Sequence, residues 1–230
     1  MALYAIGDLH LSLGSNKPMD VFGEGWDGYV GKIAAGFAAL TPDDVCVLCG
    51  DLSWASSLDK SVRDFRFISE LPGKKLIMKG NHDHWWSTAA KISAFFETHG
   101  FSDMSILHNN CFLYGDKAIC GSRGWTIEDK LDASHNDKII RREAQRLNIS
   151  LEAAGDAPEK LCFLHYPPIF NRSRCDEIID VMRAHNVKRC WYGHVHGAGH
   201  RYAVQGVVDG IDYHMISADY IGFTPRKICD

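Results

Sequence analysis

Five short apolar runs in this chain lead into polar residues that can bind a metal or move a proton, and four of the five turn at a glycine. Leu3-Tyr4-Ala5-Ile6 leads into Gly7-Asp8-Leu9-His10, and Val45–Leu48 into Gly50-Asp51. Leu76-Ile77-Met78 leads into Gly80-Asn81-His82-Asp83-His84, Leu161–Leu164 into His165, and Arg189–Tyr192 into Gly193-His194-Val195-His196. A brief apolar run that stops at a glycine reads as a strand feeding a turn, because glycine turns sharply and lets other groups come close. In α/β sheets, ligands gather outside the carboxyl ends of strands. If these strands are neighbours, their polar ends meet in one crevice.

The stretches between the runs read largely as helices. Tyr29 to Leu40 has helical apolar spacing, although Gly31 and Gly36 weaken it. Residues 57–70 place Leu58, Val62, Phe65 and Ile68 on a helix period, and 87–98, 137–154 and 176–185 continue the pattern. Residues 11–27, rich in Gly, Ser, Asn and Pro, read as a long loop. Short strands are expected at 106–107, 111–114 and 117–120, then a loop at Gly121–Trp125, and a hairpin about Asp209-Gly210 within 201–217. This mixture predicts an α/β chain of two packed sheets with helices outside, in a single domain spanning 1–230.

Apolar residues make up 46% and charged residues 23%, the balance of a folded globular chain. The net charge of −4, without a basic block, argues against a nucleic-acid partner or an anionic membrane surface. No apolar stretch approaches the roughly 20 residues of a membrane helix, and the N-terminus lacks a signal-peptide pattern. The eight cysteines are expected to be reduced core thiols in a cytoplasmic protein. Cys46 and Cys49 resemble a redox pair only by spacing, since positions three apart on a strand face opposite sides.

Two Asp, one Asn and four His form a mixed oxygen and nitrogen donor set without thiolate, suited to Mn, Fe or Zn. Seven donors exceed one four-coordinate ion and fit two ions that share a carboxylate. Two divalent ions against two carboxylates leave a local charge of about +2, which attracts phosphate although the chain is acidic.

In order, Gly-Asp-Leu-His at 7–10, Gly-Asp at 50–51, Gly-Asn-His-Asp at 80–83, His165 and Gly-His-Val-His at 193–196 resemble the five blocks of the calcineurin-like metallophosphoesterases. The resemblance implies a four-layer α/β/β/α sandwich. It also implies two transition-metal ions, one held by Asp8, His10, Asp51 and His196, the other by Asp51, Asn81, His165 and His194. His82 would be a catalytic residue and not a ligand. The implied reaction is phosphoester hydrolysis: an acidified bridging water attacks phosphorus in line, and His82 assists the leaving group.

Protein Ser/Thr phosphatases of this superfamily carry Asp-Arg-Gly after the second block, where this chain has Leu52-Ser53-Trp54. A small-molecule or nucleotide mono- or diester is therefore favoured over a phosphoprotein. A non-catalytic scaffold of the same fold is the other alternative, disfavoured because His82 is present. Arg123, in a Gly-Ser-Arg-Gly-Trp loop, is a candidate phosphate-binding residue. Asp83 could orient His82 or cap the following helix, and Trp85 and Trp86 are expected to pack. Residues 11–27, 84–88 and 121–136 would set substrate choice.

Overall fold

The computed structural model describes residues 1–17, 19–126 and 133–230. Along them run β1 (Leu3–Ile6), α1 (Tyr29–Phe37), β2 (Val45–Leu48), α2 (Val62–Glu70), β3 (Lys74–Ile77), α3 (Ala89–His99), β4 (Met104–Ile106), β5 (Cys111–Tyr114) and β6 (Lys117–Ser122). There follow α4 (Ala133–Glu152), β7 (Glu159–Leu164), β8 (Ile169–Phe170), β9 (Ser173–Arg174), α5 (Asp176–Ala184), β10 (Arg189–Tyr192), β11 (Gly206–Val208), β12 (Ile211–Met215) and β13 (Arg226–Cys229). The chain forms two compact units, Met1–Ile106 with Ile216–Asp230, and Leu107–Met215.

The first unit holds a five-stranded sheet in the order β13-β1-β2-β3-β4. β1, β2, β3 and β4 are parallel, and β13 lies antiparallel on β1. Ile6, Leu48 and Ile77 stand level across three strands, so the polar residues after them leave one edge of the sheet. Ile6, Cys46, Leu48 and Ile77 share a core with Ile33 and Phe37 of α1, Phe65 and Ile68 of α2, and Phe96 of α3. Val47 and Cys49 are buried outside that cluster. The alternation is that of a strand covered on both faces, and it separates Cys46 from Cys49 as the spacing predicts.

Gly36, read from sequence as a weak point of α1, has a packing reason. A Cβ there would lie 2.3 Å from the Phe223 carbonyl oxygen, so glycine lets residues 223–224 cross the helix closely. Asp44 ties the start of the sheet together. Its carboxylate accepts from the Ala2 amide at 2.5 Å and the Thr41 amide at 2.8 Å, and its carbonyl accepts from the Lys74 amide at 2.7 Å. Those N–H donors hold the Asp44 carboxyl below the ordinary carboxylate value.

The second unit holds a six-stranded sheet in the order β11-β12-β10-β7-β6-β5. Its four inner strands are parallel, and antiparallel hairpins close both edges. Cys120, Cys162, Leu164, Cys190 and Tyr192 pack against Leu147 and Leu151 of α4 and Ile178, Ile179 and Met182 of α5. All eight cysteines are free thiols. Burial pushes the Cys120 thiol up to about 12, the state of an inert core thiol. Each unit is a sheet with packed helices, and the chain is α/β with two mixed sheets, as expected.

The structure departs from the sequence reading in a few places. β6 continues to Ser122, two residues into the expected loop, because Gly121 and Ser122 pair with Phe163 and Leu164. Residues 11–27 contain 3-10 turns at Met19–Phe22 and Glu24–Trp26, which bury Met19 and Trp26. β13 went unread because Arg-Lys-Ile-Cys lacks strand alternation. Part of the expected substrate-selecting stretch 121–136 lies outside the described residues. No helix among the described residues is long and apolar enough to cross a membrane.

Candidate metal centre

In the first unit, backbone bonds stitch the strand ends together. Asp8 N donates to Gly50 O, His10 N to Asp51 O and Leu11 N to Leu52 O, each at 2.9 Å, and Trp54 N returns to Leu11 O. Asp8, His10 and Asp51 are buried, while Asn81 and His82 are half-buried. The His10 Nε2 and Asp51 Oδ2 atoms stand 3.8 Å apart. Asp51 Oδ1 accepts from the His82 amide at 2.7 Å, so a predicted donor also sets the backbone of the predicted catalytic residue.

Asp8, His10 and Asp51 adopt left-handed backbone, with φ of 63°, 46° and 53°. His194 in the second unit does so too, at 71°. The left-handed region costs roughly 1–2 kcal/mol for a residue with a side chain, and such strain concentrates at functional sites. The remaining non-glycine cases among the described residues are Asn109, Asn171, Asn186, Asp209 and Phe223. Asn and Asp adopt this conformation in ordinary turns, so the buried His10 and the half-buried His194 are the most informative cases.

Asp83 holds the arrangement. Its Oδ2 accepts from Gly80 N at 2.7 Å and Asp51 N at 2.8 Å. Its Oδ1 accepts from Leu52 N and Trp85 Nε1 at 2.8 Å and from Ser53 N at 3.3 Å. One buried carboxylate therefore clasps the turns after β2 and β3. Burial pushes the Asp83 carboxyl up, against the opposing pull of the Gly80 and Leu52 amides. Neither sequence expectation for Asp83 describes this role: Thr88 caps α3, and the partners of Asp83 are amides and an indole. At Gly80 a Cβ would lie 2.0 Å from Asp51 Oδ1, so only glycine fits between the two turns.

An aromatic wall completes this half. The Trp54 ring stacks on His10 at 5.0 Å and lies 4.5 Å from His82. Tyr29 Oη donates to the His10 carbonyl at 3.0 Å. Trp85 is buried in the core and meets Phe65 edge-on, so it packs as expected. His84 is exposed. Trp54, which the sequence reading used only to argue against a phosphoprotein, is the wall's main surface. Its signal was its place three residues after Asp51.

In the second unit, His165 is fully buried at the end of β7, and His194 and His196 are half-buried after β10. The His165 and Tyr166 amides donate to Arg123 O, and the Gly193 amide donates to His165 O. The His165 and His194 rings meet edge-on at 5.1 Å, and Tyr166 packs on His194 at 4.2 Å. Arg123 is mostly buried. Its Nη2 donates to Glu143 Oε1 of α4 at 3.2 Å, and its guanidinium lies over Trp125 and Tyr166.

A family model described as calcineurin-like phosphoesterase matches residues 1–198. Among solved structures, a phosphopantetheinyl hydrolase from Mycobacterium tuberculosis is similar with a TM-score of 0.58 at 14% identity, over 99% of this chain and 95% of that one. A protein of unknown function from Aquifex aeolicus is similar with a TM-score of 0.54 at 16% identity, over 98% and 95%. At these identities the likeness is one of fold. No curated protein matches the chain.

Proposed function

Since the chain belongs to the calcineurin-like phosphoesterase family, we propose that it is a hydrolase of small-molecule or nucleotide phosphoesters that works with two transition-metal ions, Mn, Fe or Zn. Asp8, His10, Asp51 and His196 would hold one ion, and Asp51, Asn81, His165 and His194 the other. The donor set fits: carboxylates, an amide oxygen and imidazoles, with no thiolate among them, suit these metals. The ions would supply positive charge for the phosphoryl oxygens and would acidify a water.

The chain's own residues do the rest. His82, with its amide fixed by Asp51 and its ring beside Trp54, gives a proton to the leaving oxygen. Asp83 keeps the two donor turns in register without touching substrate. Trp54 shields the His10 and His82 rings and limits the positions they can take. The observation that carries the reading is that four of the seven expected donors, Asp8, His10, Asp51 and His194, are held in left-handed backbone. A fold keeps such strain where side chains must be aimed.

The test is hydrolysis of bis-p-nitrophenyl phosphate beside p-nitrophenyl phosphate, with Mn or with chelator, for wild type and His82→Ala. Chelator should abolish turnover, and His82→Ala should lower kcat by roughly 10²–10⁴-fold, the usual range for a lost general acid. Metal binding with no hydrolysis of these or of natural phosphoesters would make the chain a scaffold.

A further inference from the structure

Lys17 stands beside the proposed reaction centre. Its Nζ lies 4.8 Å from the centre of the Trp54 ring, and that ring is 4.5 Å from His82. The ammonium is therefore within the sum of those distances of the His82 ring. Lys17 is exposed, and no carboxylate among the described residues pairs with it. It is the sole cation in residues 11–27, which also hold Asp20, Glu24 and Asp27. The indole is fixed on its other sides: His10 stacks on it, and its Nε1 donates to Met19 Sδ at 3.2 Å.

An exposed ammonium resting on an indole is held weakly, so a substrate anion can draw it away. A lysine carries its charge on a flexible stem and can follow such an anion. Asp20 lines the neighbouring cavity of about 280 Å³ with Met19, Trp26 and Tyr29, and its carboxylate disfavours an anion there. Lys17 marks the place in this loop where negative charge is welcome.

We propose that Lys17, standing on Trp54, is a specificity residue that receives a second anionic group, a carboxylate or a phosphate, carried by the substrate next to the scissile phosphate. This subsite deepens the phosphoester-hydrolase reading and rests on it.

The test uses p-nitrophenyl phosphodiesters whose second alcohol ends in a methyl, a carboxylate, a phosphonate or a trimethylammonium group. The full chain with Mn is assayed as wild type, Lys17→Ala, Lys17→Arg and Lys17→Glu. Ratios of kcat/KM between esters are read within each variant. Wild type should favour an anionic ester over the methyl ester by roughly fivefold at low salt, through KM, and added salt should erode the preference. Lys17→Ala should remove it, Lys17→Arg should keep it, and Lys17→Glu should turn it toward the trimethylammonium ester. The anionic ester that gains more identifies the source of the charge. Hydrolysis with ratios indifferent to residue 17 overturns the subsite alone. Hydrolysis of p-nitrophenyl phosphate but of none of these diesters overturns the subsite alone, and failure on these diesters, on the monoester and on natural phosphoesters overturns the phosphoesterase reading and the subsite together.

Discussion

Asp83 shows how one side chain can govern several others. It is buried, and each of its oxygens accepts more than one N–H. Asparagine at this position would turn an NH₂ toward amide donors and leave at least one of them unpaired. Asp83→Asn should cost about 2–4 kcal/mol of stability and should weaken metal binding, although residue 83 is not a ligand. Urea unfolding and Mn titration of the same preparation check both effects. Loss of stability with unchanged metal affinity would make Asp83 a structural residue only. The strand ends that carry the proposed donors were legible in the chain, since a short apolar run that stops at a turn residue is a local pattern. The clasp was not, because Asp83 reaches amides about thirty positions earlier, at Asp51, Leu52 and Ser53. Nor was the bond from Arg123, a candidate phosphate-binding residue, to Glu143, twenty positions on.

Elements were most legible where a strand is short and bounded by turn residues. β1, β2, β5 and β10 fall where the apolar runs place them. Helix ends drifted by a few residues, and β13 escaped because an edge strand needs only its backbone to pair. The same backbone logic explains Asp44, which joins the entrance of β1 to the turn before β2. Its carboxyl lies below the ordinary 3.8 in the folded chain and returns to it on unfolding. The stabilisation is therefore fully present above about pH 4 and is lost as pH falls through the lowered folded value. Asp44→Asn should cost about 1–3 kcal/mol at neutral pH, and the gap to wild type should narrow in acid as the wild-type carboxyl protonates. Urea midpoints of both proteins between neutral pH and pH 3 read this directly. A gap that stays constant over that range would show that the charge of Asp44 contributes nothing.

For the whole molecule, metal binding and folding should be linked. Seven proposed donors come from five strand ends, and an unfolded chain cannot present them together. Saturating Mn at about a hundred times its dissociation constant should stabilise the fold by about 2.7 kcal/mol and raise the melting temperature. Chelator should reverse the shift. His82→Ala should retain it and Asp51→Asn should lose most of it, which separates a catalytic role from a ligand role in one calorimetric series. A melting temperature indifferent to Mn in wild type would count against resident metal.

The path of the chain has a further consequence. β1 is bordered by β2 on one side and by β13 on the other, and Gly7 bonds Ile216 and Ala218. Between these partners the chain builds the whole of residues 107–215. On a ribosome, β1 emerges well before its second partner and must then wait, with one edge bare, until residues 226–229 are free to cover it. An unpaired edge is a template for foreign strands. A translating pool of this protein therefore carries a risk of mispairing until residues 226–229 have been made, and that window is where a chaperone has the most to protect.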